Sequence, residues 1–372
     1  MEQVKKNSGV GRPSKALRAL PALIAIATVA FVGGCSRSDR EVQAKPAPGT
    51  IVLAGAGATF PSVFYNRLID VYHQSHPKVL ITYAAVGSGE GVRRFIGKNV
   101  SDGERVDFGA SDAAMSDTEI ASTGNDALMV PASAGCVVLA YNLPGFNKEL
   151  RLSRQAYSRI FLGEITKWNH PLIAKANPGV KLPNLTITIV VRQDSSGTTF
   201  AFTKHLDAIN DSWRNQFGPG TLIDWPGNAM RAKGNEGIAG RVGASEGAIG
   251  YVGYEFARKL GLRTAALENK DGKFVKPTIE TCGAALAGIE MPENLRVFVP
   301  DPKGVDAYPI VTFSWILLRK SYQSATATAL RDFFQWSLGE GQSYSAELGY
   351  IPVPASVAEK ALIAVDSIKA KG

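Results

Sequence analysis

The stretch TIVLAGAGATFPSVFYNRLIDVYHQSHPKVLITYAAVGSGEGV, residues 50–92, decides the fold class. Thr50-Ile51-Val52-Leu53-Ala54 is a short apolar strand that runs into Gly55-Ala56-Gly57-Ala58-Thr59-Phe60-Pro61. Proline suits the first turn of a helix, because its fixed φ is already helical and its missing N–H would have no partner there. Val63, Phe64, Leu68, Val71 and Tyr72 then recur with helical spacing. Val79 to Val86 reads as a second strand, closed by Gly87-Ser88-Gly89-Glu90-Gly91, and a helix over Val92 to about Lys98 follows. Strand, glycine loop and helix in alternation predict an α/β fold with a largely parallel sheet.

The same pattern continues outward from this stretch. Val106 to Asp112 is a short strand ending on a carboxylate, and Leu128 to Pro131 and Cys136 to Tyr141 are buried-strand candidates. After a break at Asn142-Leu143-Pro144-Gly145 the pattern starts again. Tyr157 to Leu162 is helical, and Ile187 to Val191 is a strand. Gln193-Asp194-Ser195-Ser196-Gly197-Thr198-Thr199 leads into a helix over Phe200 to Leu206. Ala248 to Val252 and Ile310 to Leu318 read as strands, Ala325 to Leu338 and Val357 to Ile368 as helices. A chain of 372 residues suggests two lobes, and 45% hydrophobic content excludes global disorder. Three cysteines, four histidines and no CxxC or HExxH spacing argue against a disulfide scaffold or a zinc fold.

The net charge of +8 invites a nucleic-acid reading, but half of it lies in the leader. Lys5, Lys6, Arg12, Lys15 and Arg18 precede an uncharged run from Ala19 to Gly34. Sixteen residues are short for a membrane span, which needs about 20. A basic start, an apolar run and small residues before a cleavage point make a secretory signal over residues 1–34. Gly33-Gly34-Cys35 resembles a bacterial lipobox, in which the Cys35 thiol is acylated and anchors the mature chain to a membrane. Residues 35–49 are polar and Pro-containing and read as a tether. No basic run remains beyond the leader, so nucleic acid is not expected as a partner.

Three strand-to-helix junctions pair glycine with a hydroxyl residue: Gly57-Ala58-Thr59-Phe60, Gly87-Ser88-Gly89 and Ser195-Ser196-Gly197-Thr198. One alone is weak, since Ser and Thr are ordinary helix caps. Three at the same end of strands in an open sheet point to an anion site, where amides and helix dipoles face negative charge. Arg192 adds a forked cation close by. Phe60 stands where a dinucleotide fingerprint needs its third glycine, and the P-loop pattern is absent. Gly243-Ala244-Ser245-Glu246-Gly247 matches a nucleophile elbow, but its strand candidate follows the serine instead of preceding it. His73 and His76 have no neighbouring carboxylate or cysteine and read as surface histidines; no metal, cofactor or catalytic residue is assigned.

Taken together, GAGATFP (55–61), GSGEGV (87–92), DFGASDAAMSD (107–117) and RQDSSGTTFAF (192–202) resemble the periplasmic phosphate-binding proteins of the phosphate ABC transporter. The resemblance continues through GEITKWN (163–169), KGNEGIA (233–239), GAIGYVGY (247–254) and YPIVTFSWIL (308–317), in order along the mature chain. It implies an α/β two-lobed periplasmic-binding-protein fold with a hinge, its mixed or parallel sheets flanked by helices. Lobe I is expected over 50–142 plus 305–372, and lobe II over 143–304. The anion ligands it implies are Thr59, Phe60, Ser88, Asp112, Arg192, Ser196, Gly197 and Thr198. Asp194 would orient Arg192, while Phe60 and Gly197 would act through N–H alone. Ser195 and Glu90 depart from the family pattern, and Glu90 is expected as a solvent-facing first-turn residue.

Asp112 supplies a physical basis for selectivity. A carboxylate accepts hydrogen bonds and cannot donate, so it repels an anion that carries no proton. Phosphate keeps one or two protons at neutral pH; sulfate has none. The expected function is therefore an exported, monomeric solute-binding protein, in the periplasm or on the outer face of the cytoplasmic membrane. It would capture inorganic phosphate between its lobes and deliver it to the permease subunits of an ABC importer. The alternatives are an exported phosphatase on a related scaffold, or a binder of another protonated oxyanion such as arsenate. Whether Cys136 and Cys282 pair is left open by the sequence.

Overall fold

The computed structural model describes residues 47–371, so the leader, Cys35 and the first part of the tether lie outside the described residues. Two parallel units carry the architecture. In the first, β1 (Ile51–Gly57) lies between β2 (Val79–Ala85) and β3 (Phe108–Ser111) and is parallel to both. In the second, β5 (Thr188–Arg192) lies between β6 (Met230–Ala232) and β7 (Ala248–Gly253), again in parallel. Between the units run two long antiparallel strands, β4 (Ala127–Tyr141) and β9 (Val311–Arg319). The order is β2-β1-β3-β9-β4-β7-β5-β6, and β8 (Arg263–Thr264) also pairs with β4 to complete a nine-stranded mixed sheet.

The expected parallel sheet is thus present twice, and its antiparallel centre is what joins the halves. Strand β4 serves both. Ala127 to Cys136 pair with β9, whereas Val137 to Tyr141 pair with β7. The Val137 N–H donates to the Ile310 carbonyl at 3.0 Å, so the chain's two crossings between the units are hydrogen-bonded to each other.

The two strand candidates on either side of Pro131 prove to be one strand. Proline cannot donate to a ladder, which ordinarily argues against a central strand. Here Ser133 faces Ser314 while Pro131 faces Trp315, leaving Ala132 as an extra residue in a bulge beside the proline. The second glycine loop also differs from expectation. Helix α2 spans Ser88–Ile96, so Ser88-Gly89-Glu90-Gly91 forms its first turn rather than a loop before it. Gly91 is needed because a Cβ there would lie 2.4 Å from the Gly57 Cα.

Helix α1 (Ser62–Ser75) buries Phe64, Tyr65, Leu68 and Tyr72 against the first unit, where Phe108, Phe333 and Phe334 complete an aromatic core. Around the second unit, Phe161, Phe202, Trp213, Trp225 and Tyr251 pack against one another, with Tyr251 stacked on Phe202 and Trp225. His76 stacks on Tyr72, and the described residues contain no group of metal-ligating side chains.

Cys136 and Cys282 are joined by a disulfide and both are buried. The bond pins the short helix Ile279–Ala284 to β4 at the residue where its partner changes from β9 to β7. Its sequence separation of 146 closes a long loop in the unfolded chain. Chain-entropy reasoning assigns such a bond about 2–5 kcal/mol. Cys282→Ala is therefore expected to lower the free energy of unfolding by that amount in a urea titration, and reduction of the parent should mimic it.

Candidate functional site

The glycine–hydroxyl junctions predicted from the sequence meet where the two parallel units face each other. Thr59 and Phe60 follow β1, Ser88 opens α2, and Asp112 follows β3, all on the first unit. From the second unit come Arg192 at the end of β5, Ser196 as N-cap of α3 (Gly197–Ile209), and Gly197 and Thr198 in its first turn. A fourth helix, α4 (Gly234–Ala244), begins beside them. Each of these residues is buried.

Their hydrogen-bond partners fix which way the hydroxyls point. The Ser88 oxygen accepts the Gly197 N–H at 3.0 Å and the Asp112 N–H at 3.3 Å. A hydroxyl oxygen has two lone pairs, so with both engaged its own hydrogen must be donated elsewhere. Ser196 caps α3 by accepting the Thr199 N–H at 3.1 Å, and its N–H is used by Thr221 O at 2.8 Å. Its hydroxyl hydrogen remains a donor. Phe60 packs its ring over Gly135, where a Cβ would lie 2.7 Å from the ring, and its carbonyl accepts the Tyr350 hydroxyl at 2.6 Å. Among the described residues, the amides of Thr59 and Phe60 have no protein acceptor.

Arg192 is held rigidly. Asp194 binds it through two parallel bonds, Nε to Oδ1 at 2.8 Å and Nη2 to Oδ2, while Asp194 Oδ1 also accepts the Gly234 N–H at 3.0 Å. Burial alone would raise the Asp194 pKa, but these donors and the guanidinium charge outweigh it and hold the carboxyl below its usual range. This leaves Arg192 Nη1 buried with no protein partner among the described residues. Asp112 Oδ1 is orphaned in the same way. Buried polar atoms are nearly always paired, so a charged donor and a charged acceptor left open at one cleft point to a ligand that can both accept and donate.

Burial pushes the Asp112 carboxyl up to about 7, with the Ser314 hydroxyl and the Arg192 charge pulling the other way. Glu90 is not part of this group. Arg93 and Arg94 each bind it at 2.7 Å, and its pKa falls to about 2, with the Arg93 hydrogen bond as the main cause. Ser195, the other departure from the family pattern, bonds Thr221 Oγ1 through its hydroxyl at 2.9 Å. Its carbonyl accepts the Gly89 N–H at 3.1 Å, a contact between the two units.

One member of the site was missed from the sequence. Asn235, second residue of α4 and fully buried, donates its side-chain NH2 to Thr59 Oγ1 at 2.9 Å and to Thr198 Oγ1 at 3.3 Å. It lies within the quoted KGNEGIA segment, but nothing in that segment shows which partners a folded Asn would meet.

Comparisons with known proteins identify the family and the fold. Residues 43–340 match the PBP superfamily domain. A phosphate-binding protein PstS of Methanocaldococcus jannaschii is 36% identical over 95% of this chain and 96% of its own length. One from Pasteurella multocida is 38% identical over 83% of this chain and 88% of its own. Among solved structures, the periplasmic phosphate-binding protein PfluDING, determined with phosphate bound, superimposes with a TM-score of 0.70 at 23% identity. That alignment covers 83% of this chain and 92% of that one. A putative phosphate transporter substrate-binding protein from Clostridium perfringens gives a TM-score of 0.58 at 17% identity, covering 81% and 99%. At these identities the two structures establish the two-lobed fold.

Two outcomes are expected from the geometry. A Cβ on Gly197 would lie 2.6 Å from both Asp112 Cβ and Ser88 Oγ, so Gly197→Ala should keep the fold but prevent the units from meeting. Small-angle scattering is expected to give a larger radius of gyration for the variant than for the parent. The second concerns pH. Between about 4 and 7 the folded Asp112 binds a proton that the unfolded carboxyl has released, so its contribution to stability falls as pH rises through that window. Melting of ligand-free protein at pH 5 and 7.5 should show a smaller pH difference in Asp112→Asn than in the parent.

Proposed function

This chain belongs to the PstS family of phosphate-binding proteins, and from that premise we propose that it captures inorganic phosphate between its two lobes and delivers it to an ABC importer. The observation that carries the reading is the pair of buried open valences at one cleft, Arg192 Nη1 and Asp112 Oδ1. Donors from both units stand near them: the Ser88 and Ser196 hydroxyls and the Thr59 and Phe60 amides. An oxyanion with several bare oxygens and one proton satisfies that set. Its bare oxygens take Arg192 and the donors, and its proton goes to Asp112.

In this reading Thr59, Phe60, Ser88, Asp112, Arg192, Ser196 and Thr198 contact the anion, and Asp194 fixes the Arg192 fork. Gly197, expected as a ligand through its N–H, instead gives that N–H to Ser88 Oγ and acts by turning the Ser88 hydroxyl hydrogen toward the anion. Arg192, Asp194 and an ionised Asp112 together carry one negative charge, so attraction comes from oriented N–H and O–H dipoles at helix starts. Sulfate brings no proton. An ionised Asp112 facing it is a buried charge without a donor, a cost of at least about 1–3 kcal/mol, or about fivefold to more than a hundredfold in affinity. Capture without turnover fits the chemistry of the hydroxyls. Ser88 and Ser196 are engaged by backbone N–H groups instead of by a base that would activate them.

We assign lobe I to 50–142 plus 305–372 and lobe II to 143–304, with the paired crossings near Val137 and Ile310 as the hinge region. Closure of the lobes would be the state a membrane permease senses. Cys35 would tether the exported, monomeric chain to the membrane through its lipid, with residues 36–49 as the leash.

Calorimetric titration of protein unfolded and refolded to strip carried-over ligand tests the reading. At pH 8 the parent is expected to bind one phosphate tightly and to give no sulfate heat. Sulfate should begin to compete near pH 5, where Asp112 is protonated and can donate. Asp112→Asn, whose amide donates at any pH, should narrow the preference for phosphate over sulfate and flatten this pH dependence. A refolded parent that takes up no phosphate, or an Asp112→Asn variant with unchanged preference, would refute the assignment.

A further inference from the structure

Asn235 stands between the lobes with its amide orientation fixed by chemistry. Its Oδ1 accepts the Gly253 N–H at 3.0 Å. A backbone amide can only donate, so the side chain presents its oxygen to Gly253 and its NH2 to the other side. There the NH2 meets Thr59 Oγ1 at 2.9 Å and Thr198 Oγ1 at 3.3 Å, and the Asn235 backbone N–H reaches Thr59 Oγ1 at 3.2 Å. The two lone pairs of Thr59 Oγ1 are therefore both occupied by donors, and its own hydrogen has to be given to something else. No acceptor for it is found among the described residues. Thr198 Oγ1 is constrained in the same sense by one donor.

Thr59 lies on the first parallel unit, and Thr198 and Asn235 lie on the second, so the bridge exists only when the units are together. We propose that Asn235 is a positioning residue that sets the donor direction of Thr59 and Thr198 as the lobes close, aiming both hydroxyl hydrogens at the bound anion. The inference rests on the phosphate-capture reading. It also orients the ligand: unprotonated oxygens go to the two threonines, and the protonated one goes to Asp112. A ligand that needed an acceptor at Thr59 would find none.

The test is phosphate titration of the parent, Asn235→Ala, Asn235→Asp, Thr59→Val and the N235A/T59V double variant, with melting followed for each. Asn235→Ala frees the hydroxyls to rotate and should weaken phosphate binding about tenfold or more. Asn235→Asp keeps an acceptor for Gly253 but accepts from both threonines, turning their hydrogens away and adding a charge. Its expected loss is about a hundredfold or more. The coupling separates positioning from packing. Where Thr59 has already lost its hydroxyl, Asn235→Ala should cost markedly less than in the parent. Equal costs on the two backgrounds, or a folded Asn235→Asp that binds phosphate like the parent, would overturn the proposal. If Asn235→Ala does not fold, the same cycle is run with Asn235→Asp. A parent that binds no phosphate overturns the capture reading itself, and this inference with it.

Discussion

A small anion taken out of water must find every lost hydrogen bond replaced at once, by groups already pointing at it. That constraint explains why so many side chains here are committed to each other. Ser88 accepts two backbone N–H groups, Ser196 caps α3, and Thr59 accepts twice from Asn235. The Ser88 and Thr59 oxygens are saturated by protein donors, and each is left with a hydrogen it can only give away. With the units together, orientation is fixed by protein groups instead of by the ligand, which lowers the reorganisation cost of binding.

Arg192 illustrates the same principle for charge. Its guanidinium is neutralised by a bidentate carboxylate, yet one nitrogen is kept free and buried. The pair acts as a rigid dipole with a single open valence rather than as a free cation. Long-range attraction is given up and directional recognition gained. In the proposed function Asp112 would decide which anions can be accommodated, because its carboxylate asks for a proton that some oxyanions have and others lack.

Such a site is assembled from two halves, and the fold supplies a means of bringing them together. Strand β4 belongs to both units, changes partner at Cys136–Val137, and is held there by the disulfide to Cys282 and by the Val137–Ile310 hydrogen bond. Gly89, Gly197 and Asn235 carry the contacts between the units at the cleft. Glycine recurs at that seam because the backbones come too close for a Cβ. At Gly197 one would collide with both Asp112 and Ser88.

Much of this was written locally. Apolar runs followed by glycine, a hydroxyl residue and a helical pattern are properties of a few consecutive residues, so the βα units and the junctions at Thr59, Ser88 and Ser196 could be read from the chain. The whole-chain resemblance added Asp112 and the pairing of Arg192 with Asp194. What tertiary structure alone decided depends on residues far apart in sequence. Pro131 interrupts a strand on paper, and only the bulge opposite Ser314–Trp315 lets β4 continue past it. The bond between Cys136 and Cys282 requires a Cα separation of 5.8 Å across 146 residues, which no spacing rule predicts. Asn235 gains its partners only when Thr59, 176 positions away, is brought alongside. Sequence sets which groups can donate and accept; the folded, closed chain sets which of them have already been used.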